Sequence, residues 1–539
     1  MATQTTSKKT TQPLVERAGR AVFWNAAFFP LKALIGFASS IVLVRLLRTD
    51  GFYYYNVTMA LLATLGLFSD LGIERTLPRF YPEVEMSLGR RGVVRLLGWV
   101  SGVKAAVLVL LVGALLIAPG FVVSVTGSDL GPNQGWLLLM IGVLLVLGAA
   151  SDVSIQLLYT HFKQKVTNGL DILAAVVYPA LAALFVLLKW GVMGAVLALL
   201  ITTVISVVIS LRLAGGLLRS MPDEPHPDPS QVKKPSTRSL RGRLVSYAGL
   251  NYLINWSVYL YDLPFVVLAL GLLVAAPEEK KVQVAVVSLA YKFTRQFLRV
   301  LVVPLTGVQT PLFARLYAQG RIDGLKTAYA TVTKFLILVL MPAGVGLIVT
   351  GRNLLQIFYG QINRDAVLTG LTMHDAVACM AILTIGLFGE AIISVALNVL
   401  MVYEEHRPVI VARLCALISI PLLILLVPAF GVVGAAMAVA SAGLGSRAVA
   451  LAYASRIVGL RFPGPFFVKV GVATILMALV LLPFLAYFPP TILITTLMIT
   501  LGGLVFLAAF KLLGGIEAAD RERFTSLRLP FVNYALRFL

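Results

Sequence analysis

The stretch LLGWVSGVKAAVLVLLVGALLIA, residues 96–118, decides the class of fold. A helix of this length rises about 34 Å, enough to cross roughly 30 Å of membrane hydrocarbon. Its apolar residues run together and do not alternate with the period of two that a barrel strand requires. One charge lies within it, Lys104, which we expect to reach the aqueous interface by snorkelling. The stretch is therefore typical of a transmembrane helix.

Similar apolar runs recur along the whole chain of 539 residues, of which 59% are hydrophobic and 13% charged. A soluble protein carries about a quarter charged residues, so the sequence predicts an all-α, polytopic membrane protein. We predict about 14 transmembrane helices. They lie near residues 21–44, 52–72, 96–118, 135–158, 168–188, 191–215, 245–273, 283–310, 327–350, 375–401, 405–428, 431–453, 465–487 and 491–513.

The number of basic residues is alternately high and low in successive connections between these spans. About 32 fall on one side of the membrane, with Arg413 and Arg447 counted there, and about 7 on the other. Because Lys and Arg accumulate in cytoplasmic loops, we expect both termini to be cytoplasmic. The same distribution explains the net charge of +21. We therefore expect no nucleic-acid partner.

The sequence carries few residues suited to catalysis or to metal binding. Four scattered histidines form no metal-ligand spacing, and two cysteines suggest no disulfide framework. No nucleotide-binding loop is present, so we expect no cofactor. The predicted outer loops near 119–134 and 351–373 are too short for an outward-facing glycosyltransferase. We expect no catalytic residue and no enzyme activity.

A polar stretch with five prolines, residues 220–243, interrupts the apolar pattern and is typical of a flexible cytoplasmic linker. It separates halves of about six helices each, with weak self-similarity at a period near 230 residues. The predicted domains are an N-terminal six-helix bundle at 1–219, the linker at 220–244, a C-terminal six-helix bundle at 245–460, and two extra helices with a tail at 461–539.

Cations inside predicted spans are expensive and mark functional sites by default. Lys292, Arg295 and Arg299 fall on one face of the eighth span, and Lys32 lies near the middle of the first. Such a stripe cannot face lipid. It either pairs with acids on neighbouring helices or lines a hydrated lumen that binds anions, and we favour the lumen because intramembrane acids are few.

Amides and a phenol line a second face. In the seventh span, Asn251, Asn255 and Tyr259 share a face with Asp262, and in the first span Asn25 shares one with Lys32. Such groups either bind sugar hydroxyls or hold helices together.

Two carboxylates, Asp262 and Glu390, lie within predicted spans and are our candidates for coupling transport to H⁺ or Na⁺.

Four segments resemble the multidrug/oligosaccharidyl-lipid/polysaccharide (MOP) exporter superfamily, in particular its polysaccharide-transport, O-antigen-flippase-like branch. They are NAAFFP at 25–30, RLL at 45–47, GFYYY at 51–55 and SDLGIERTLPRFY at 69–81. The resemblance implies two six-helix bundles around a central cavity that opens alternately to each side of the membrane. It also implies that the cationic residues hold the substrate.

Membership implies a flippase that moves a polyprenyl-diphosphate-linked oligosaccharide across the cytoplasmic (inner) membrane of a prokaryote. Its partners would be membrane lipid, the lipid-linked glycan, and polysaccharide polymerase and glycosyltransferases. Two alternatives remain open: a cation-coupled multidrug antiporter of the same superfamily, and a lipid II flippase. The extra pair of helices after about residue 460 also occurs in lipid II flippases, where it is associated with a groove for the polyprenyl tail.

Overall fold

The computed structural model describes residues 5–127, 129–161, 163–221, 240–368, 373–403 and 405–516. Within these ranges the chain forms α-helices and no β-strand. The helices are α1 (Thr5–Asp70), α2 (Ile73–Ile117), α3 (Pro119–Thr126), α4 (Gln134–Thr160), α5 (Gln164–Phe185), α6 (Gly191–Arg219), α7 (Leu240–Tyr259), α8 (Leu263–Leu273), α9 (Pro277–Ala318), α10 (Ile322–Leu368), α11 (Met373–Val402), α12 (His406–Leu414), α13 (Ser419–Ile457), α14 (Gly464–Tyr487) and α15 (Ile492–Leu512).

The predicted all-α membrane class is confirmed. Each predicted span falls on a helix, and α4 follows the predicted bounds to within two residues. Along α4 one side is buried, while large apolar side chains such as Leu139 and Val146 are exposed. An exposed apolar helix face of this kind fits the hydrocarbon of a membrane.

Eight helical stretches among the described residues are long and apolar enough to cross a membrane, or nine if the bent pair α7 and α8 is one crossing. Two of them, Lys165–Arg219 and Arg407–Ile457, would be about 75–85 Å long if straight, far beyond one crossing. Each is broken inside, at Lys189 with Gly191 and at Gly431, where φ is positive. The helix α9, which carries Lys292, Arg295 and Arg299, is not among these stretches. The total of fourteen stays a prediction.

The chain divides into two compact units. The first contains residues up to Tyr259 together with 263–272, and the second contains Leu260–Asp262 and the chain from Leu273 onward. The helix α7 thus packs in the first unit, whereas the predicted C-terminal bundle begins at residue 245. Most of the predicted linker, 222–239, lies outside the described residues. The predicted domain boundaries remain predictions.

In the first unit, the structure contradicts the prediction that Lys104 snorkels to the interface. Its side chain is 2% exposed, and Nζ donates a hydrogen bond of 2.9 Å to Oδ2 of Asp152. The ammonium group does not snorkel, because a carboxylate on the neighbouring α4 compensates its charge inside the unit.

In the second unit, small residues bring α11 and α13 into close contact. A Cβ added to Gly386 would lie 2.5 Å from Cβ of Ala440, so the backbones approach as closely as glycine allows. Glu390 follows Gly386 by one turn, and Arg447 follows Ala440 by two turns. The contact therefore places an acid and a base of the two helices opposite each other.

Candidate functional site

The break between α7 and α8 brings two polar side chains into the second unit. Tyr261 and Asp262 lie where the helix is interrupted, and both belong to that unit. Tyr261 is 4% exposed, and Asp262 is half-buried. Because they are consecutive, they connect two groups of charges that lie on different helices.

The first group lies on α9. Arg295 forms an ion pair with Oδ1 of Asp262 and donates a hydrogen bond of 2.7 Å to the hydroxyl of Tyr291. The Tyr291 hydroxyl in turn donates to Oδ1 of Asp262 at 2.7 Å. The guanidinium also lies over the ring of Tyr291, 5.4 Å from its centroid. These contacts hold Arg295 at a fixed position, about 27 Å along α9 from its Pro277 end.

The other two cations of the stripe flank Arg295. Lys292 is half-buried one turn earlier, and Arg299 is exposed one turn later. The same face begins at Ser288, which is fully buried. Asp262 pairs with Arg295, as the first predicted alternative requires for this cation, whereas the anion-binding lumen stays a prediction.

The second group surrounds Glu390. Nη2 of Arg447 donates to Oε1 of Glu390 at 2.7 Å, and the hydroxyl of Tyr261 lies 3.3 Å from the same oxygen. Nη2 of Arg447 and Nη1 of Arg413 lie 3.4 and 3.5 Å from that hydroxyl. A Cβ on Gly443 would lie 2.9 Å from Oε2 of Glu390, so this glycine leaves room for the carboxylate.

The two groups act on each other, since the Glu390 carboxylate also interacts electrostatically with Arg295. We call the combined set the cationic cluster. Its members are Tyr261, Asp262, Tyr291, Lys292, Arg295, Arg299, Glu390, Arg413 and Arg447. Cations outnumber acids in it by three. The exposed Arg299, and the buried Nε and Nη1 atoms of Arg447 that have no acceptor among the described residues, provide strong donors for an anion.

The remaining predicted cation, Lys32, lies in the first unit. Its Nζ forms an ion pair with Asp171 and a hydrogen bond of 3.1 Å to Oδ1 of Asn168. Lys32 thus has its own acidic partner on α5 and is half-buried. The predicted site residue Asn25 has a side chain outside the described part of the chain.

The amides of α7 connect helices of the first unit. Nδ2 of Asn255 donates to Oδ2 of Asp70 at 2.7 Å, and the Tyr259 hydroxyl contacts that of Thr64 at 2.5 Å. Nδ2 of Asn251 donates within α7 to the carbonyl of Tyr247 at 3.1 Å and lies 3.5 Å from Oγ1 of Thr76 on α2. These contacts correspond to the second of the two predicted roles, in which polar groups hold helices together. Their predicted role in sugar binding stays a prediction.

Both candidates for ion coupling are engaged by arginine, Asp262 by Arg295 and Glu390 by Arg447. Their coupling role stays a prediction.

Sequence reasoning missed four members of the cationic cluster, namely Tyr261, Tyr291, Arg413 and Arg447. Arg447 and Arg413 were expected on the inner side of the membrane, but Arg447 is 8% exposed within α13 and pairs with Glu390. A signal was available, because both residues fall inside predicted spans, at 431–453 and 405–428. Neither residue lies within the terminal turn of its predicted span, where a charged side chain reaches the membrane interface easily.

Comparison with known families matches the chain to one family twice. A model of the polysaccharide biosynthesis protein family matches residues 18–317, more than half of the chain. A second model with the same description matches residues 270–368. No curated protein matches the sequence significantly.

Several solved structures share the fold. Lipid II flippase MurJ, in an inward closed conformation, is 16% identical with a TM-score of 0.62, covering 89% of this chain and 98% of that one. An inward-facing multidrug resistance MATE family transporter of the MOP superfamily is 14% identical with a TM-score of 0.56, covering 79% and 98%. A MOP superfamily transporter from Pyrococcus furiosus is 14% identical with a TM-score of 0.52, covering 82% and 96%.

At these identities the solved structures show the fold alone, whereas the family rests on the sequence match. Together they confirm the resemblance to the MOP superfamily. The chain belongs to the polysaccharide biosynthesis protein family, and it is a multi-pass membrane protein that shares the fold of the MOP superfamily structures.

Proposed function

We propose that this protein is a flippase that moves a polyprenyl-diphosphate-linked oligosaccharide from the cytoplasmic to the outer leaflet by alternating access. The product would supply cell-surface polysaccharide synthesis. The observation that carries the proposal is the row of three cations on one face of α9, Lys292, Arg295 and Arg299, within a unit that crosses the membrane. The family match supports a role in polysaccharide biosynthesis.

A diphosphate suits this cluster by charge and by geometry. It is a permanent anion with several acceptor oxygens, and guanidinium groups bind phosphate oxygens through charge-assisted hydrogen bonds. In our proposal Lys292, Arg295 and Arg299 bind the diphosphate. They lie on successive turns of α9, about 5 Å apart, so one diphosphate can contact two or three of them. The polyprenyl chain stays in the bilayer.

The remaining predicted residues are assigned secondary roles. Lys32 and Asn25 would contact the headgroup during the conformational cycle, and the cycle would release Lys32 from Asp171. Asn251, Asn255 and Tyr259 would contact sugar hydroxyls only in a state in which α7 leaves its present partners. H⁺ or Na⁺ binding at Asp262 or Glu390, or the membrane potential acting on the anionic headgroup, would drive transport.

The cellular setting belongs to the same proposal. The protein would lie in the cytoplasmic (inner) membrane of a prokaryote, with both termini in the cytoplasm, where lipid-linked intermediates are assembled. Glycosyltransferases would supply the substrate, and a polysaccharide polymerase would consume it.

A multidrug antiporter is the main alternative, since MATE transporters share the fold. A site for cationic drugs needs an excess of acids, and the cationic cluster has the opposite balance. The Pyrococcus furiosus transporter is described by a reversed polarity of its binding pocket that suggests a different function, so this fold accommodates pockets of either polarity. Lipid II, which also carries a diphosphate, is a second candidate substrate.

Arg299→Gln tests the proposal without disturbing an ion pair. Arg299 is exposed, and among the described residues no hydrogen bond or ion pair holds it. Losing one charge-assisted contact of about 1.5–3 kcal/mol should slow flipping about ten- to hundredfold while leaving thermal stability unchanged. The assay uses proteoliposomes with a fluorescent short-chain polyprenyl-diphosphate-linked N-acetylglucosamine.

Arg456→Gln is the matched control, because Arg456 is an exposed arginine in the last turn of α13, outside the cluster. It should flip the probe at the wild-type rate. Equal rates for Arg299→Gln and the wild type would contradict the proposed site. Dye efflux that depends on Arg299, with no flipping by the wild type, would favour the antiporter.

A further inference from the structure

Arg447 is the most deeply enclosed arginine among the described residues of the cationic cluster. Its side chain is 9% exposed, on a helix that continues for about 15 Å beyond it to Ile457. Its neighbour Ser446 is fully buried. A guanidinium at this depth is a functional feature by default, because the membrane interior disfavours its charge strongly.

The ion pair with Glu390 uses part of the hydrogen-bonding capacity of Arg447. Nη2 donates to Glu390, while Nε and Nη1 are buried and have no acceptor among the described residues. The hydroxyl of Ser446 is likewise buried without a partner. Buried donors of this kind are rarely left unmatched in proteins, so the arrangement is suited to an acceptor that the chain itself does not supply.

The surroundings indicate what that acceptor is. Arg447 already binds a carboxylate, that of Glu390, and the Tyr261 hydroxyl donates to the same carboxylate while it accepts from Nη2 of Arg447. The half-buried Arg413 adds another positive charge, so the group compensates a negative ligand better than a neutral one.

The position relative to α9 links this group to the proposed substrate. Tyr261 contacts Arg447, and the next residue, Asp262, contacts Arg295. Tyr261 and Asp262 are consecutive, so Arg447 and Arg295 contact adjacent residues of the chain.

We propose that Arg447, together with Tyr261 and Arg413, forms a second anion subsite that binds the carboxylate of an acidic sugar in the glycan. This inference rests on the proposed function, because it places the sugar beside the bound diphosphate. The substrate class is then a lipid-linked glycan that contains a uronic acid close to its diphosphate.

The test uses the full chain in lipid nanodiscs and measures thermal stabilisation by three probes: inorganic pyrophosphate, D-glucuronate and D-glucose. A ligand that binds the folded state raises the unfolding temperature, and at a fixed concentration a tighter ligand raises it more. We expect glucuronate to stabilise the wild type and glucose to have no effect. Arg447→Gln should lose the response to glucuronate, because its affinity for glucuronate should fall at least about tenfold. It should keep the response to pyrophosphate.

Removing Arg447 alone leaves Glu390 buried without its partner, so the double variant Arg447→Gln/Glu390→Gln is measured alongside it. This variant removes both charges and should fold, yet it should still lose the glucuronate response. Arg456→Gln should respond like the wild type. A wild type that does not distinguish glucuronate from glucose, or a double variant that still binds glucuronate, would overturn the subsite. Absence of pyrophosphate binding, with glucuronate binding still dependent on Arg447, would support the subsite and contradict the proposed diphosphate site.

Discussion

Replacing Arg295 with glutamine is expected to abolish flipping and to destabilise the protein. Arg295 is the central cation of the α9 stripe and the partner of Asp262. Removing one member of a buried ion pair costs about 3–5 kcal/mol, because the other charge stays buried without compensation. Here the two side chains are 33% and 25% exposed, so solvent screening should reduce the cost to about 2–3 kcal/mol. Thermal unfolding in one detergent measures this effect.

The double variant Arg295→Gln/Asp262→Asn separates stability from transport. With both charges removed, no buried charge is left unpaired, and most of the lost stability should return. Flipping of the polyprenyl-diphosphate probe should not return, because the phosphate-binding guanidinium is absent. If the double variant flips the probe at the wild-type rate, Arg295 serves only to hold Asp262, and the proposed role of the stripe is wrong.

Gly72→Ala should destabilise the first unit strongly. Gly72 begins α2 with φ of 70°, and a Cβ there would lie 2.1 Å from the carbonyl oxygen of Ala248 on α7 and 2.8 Å from the amide nitrogen of Tyr252. The left-handed backbone and the backbone clash together should cost about 3–5 kcal/mol. The displacement of α7 would also weaken its hydrogen bond between Asn255 and Asp70.

Gly66→Ala is the matched control on α1. A Cβ at Gly66 would meet nothing within 4 Å, and Gly66 is in an ordinary helical turn. Alanine there should leave stability unchanged or raise it by about 0.5–1 kcal/mol. The unfolding temperatures of both variants in the same detergent check the pair. Similar unfolding temperatures for Gly72→Ala and the wild type would show that α7 does not approach α2 as closely as described.

The helices could be predicted from the sequence because each corresponds to one continuous apolar run. An apolar run of sufficient length is helical wherever it crosses the membrane, so α4 and α15 appear close to their predicted bounds. The helical period also placed Lys292, Arg295 and Arg299 on one face.

The partners of these charges could not be predicted, since periodicity identifies a face but not what lies opposite. Asp262 and Arg295 are 33 residues apart, and Glu390 and Arg447 are 57 apart. Their pairing depends on the break at Tyr261 and on the close contact of α11 with α13 at Gly386. Both are properties of tertiary packing, and so the acids expected to carry coupling ions turned out to be paired with arginine.

The most direct test of the central claim is a structure of the wild-type chain in lipid nanodiscs with polyprenyl-diphosphate-linked N-acetylglucosamine. We predict diphosphate density within about 2.7–3.2 Å of at least two of Lys292, Arg295 and Arg299. Diphosphate density at another position, with these three side chains in contact with acyl chains or with protein acids alone, would contradict the account.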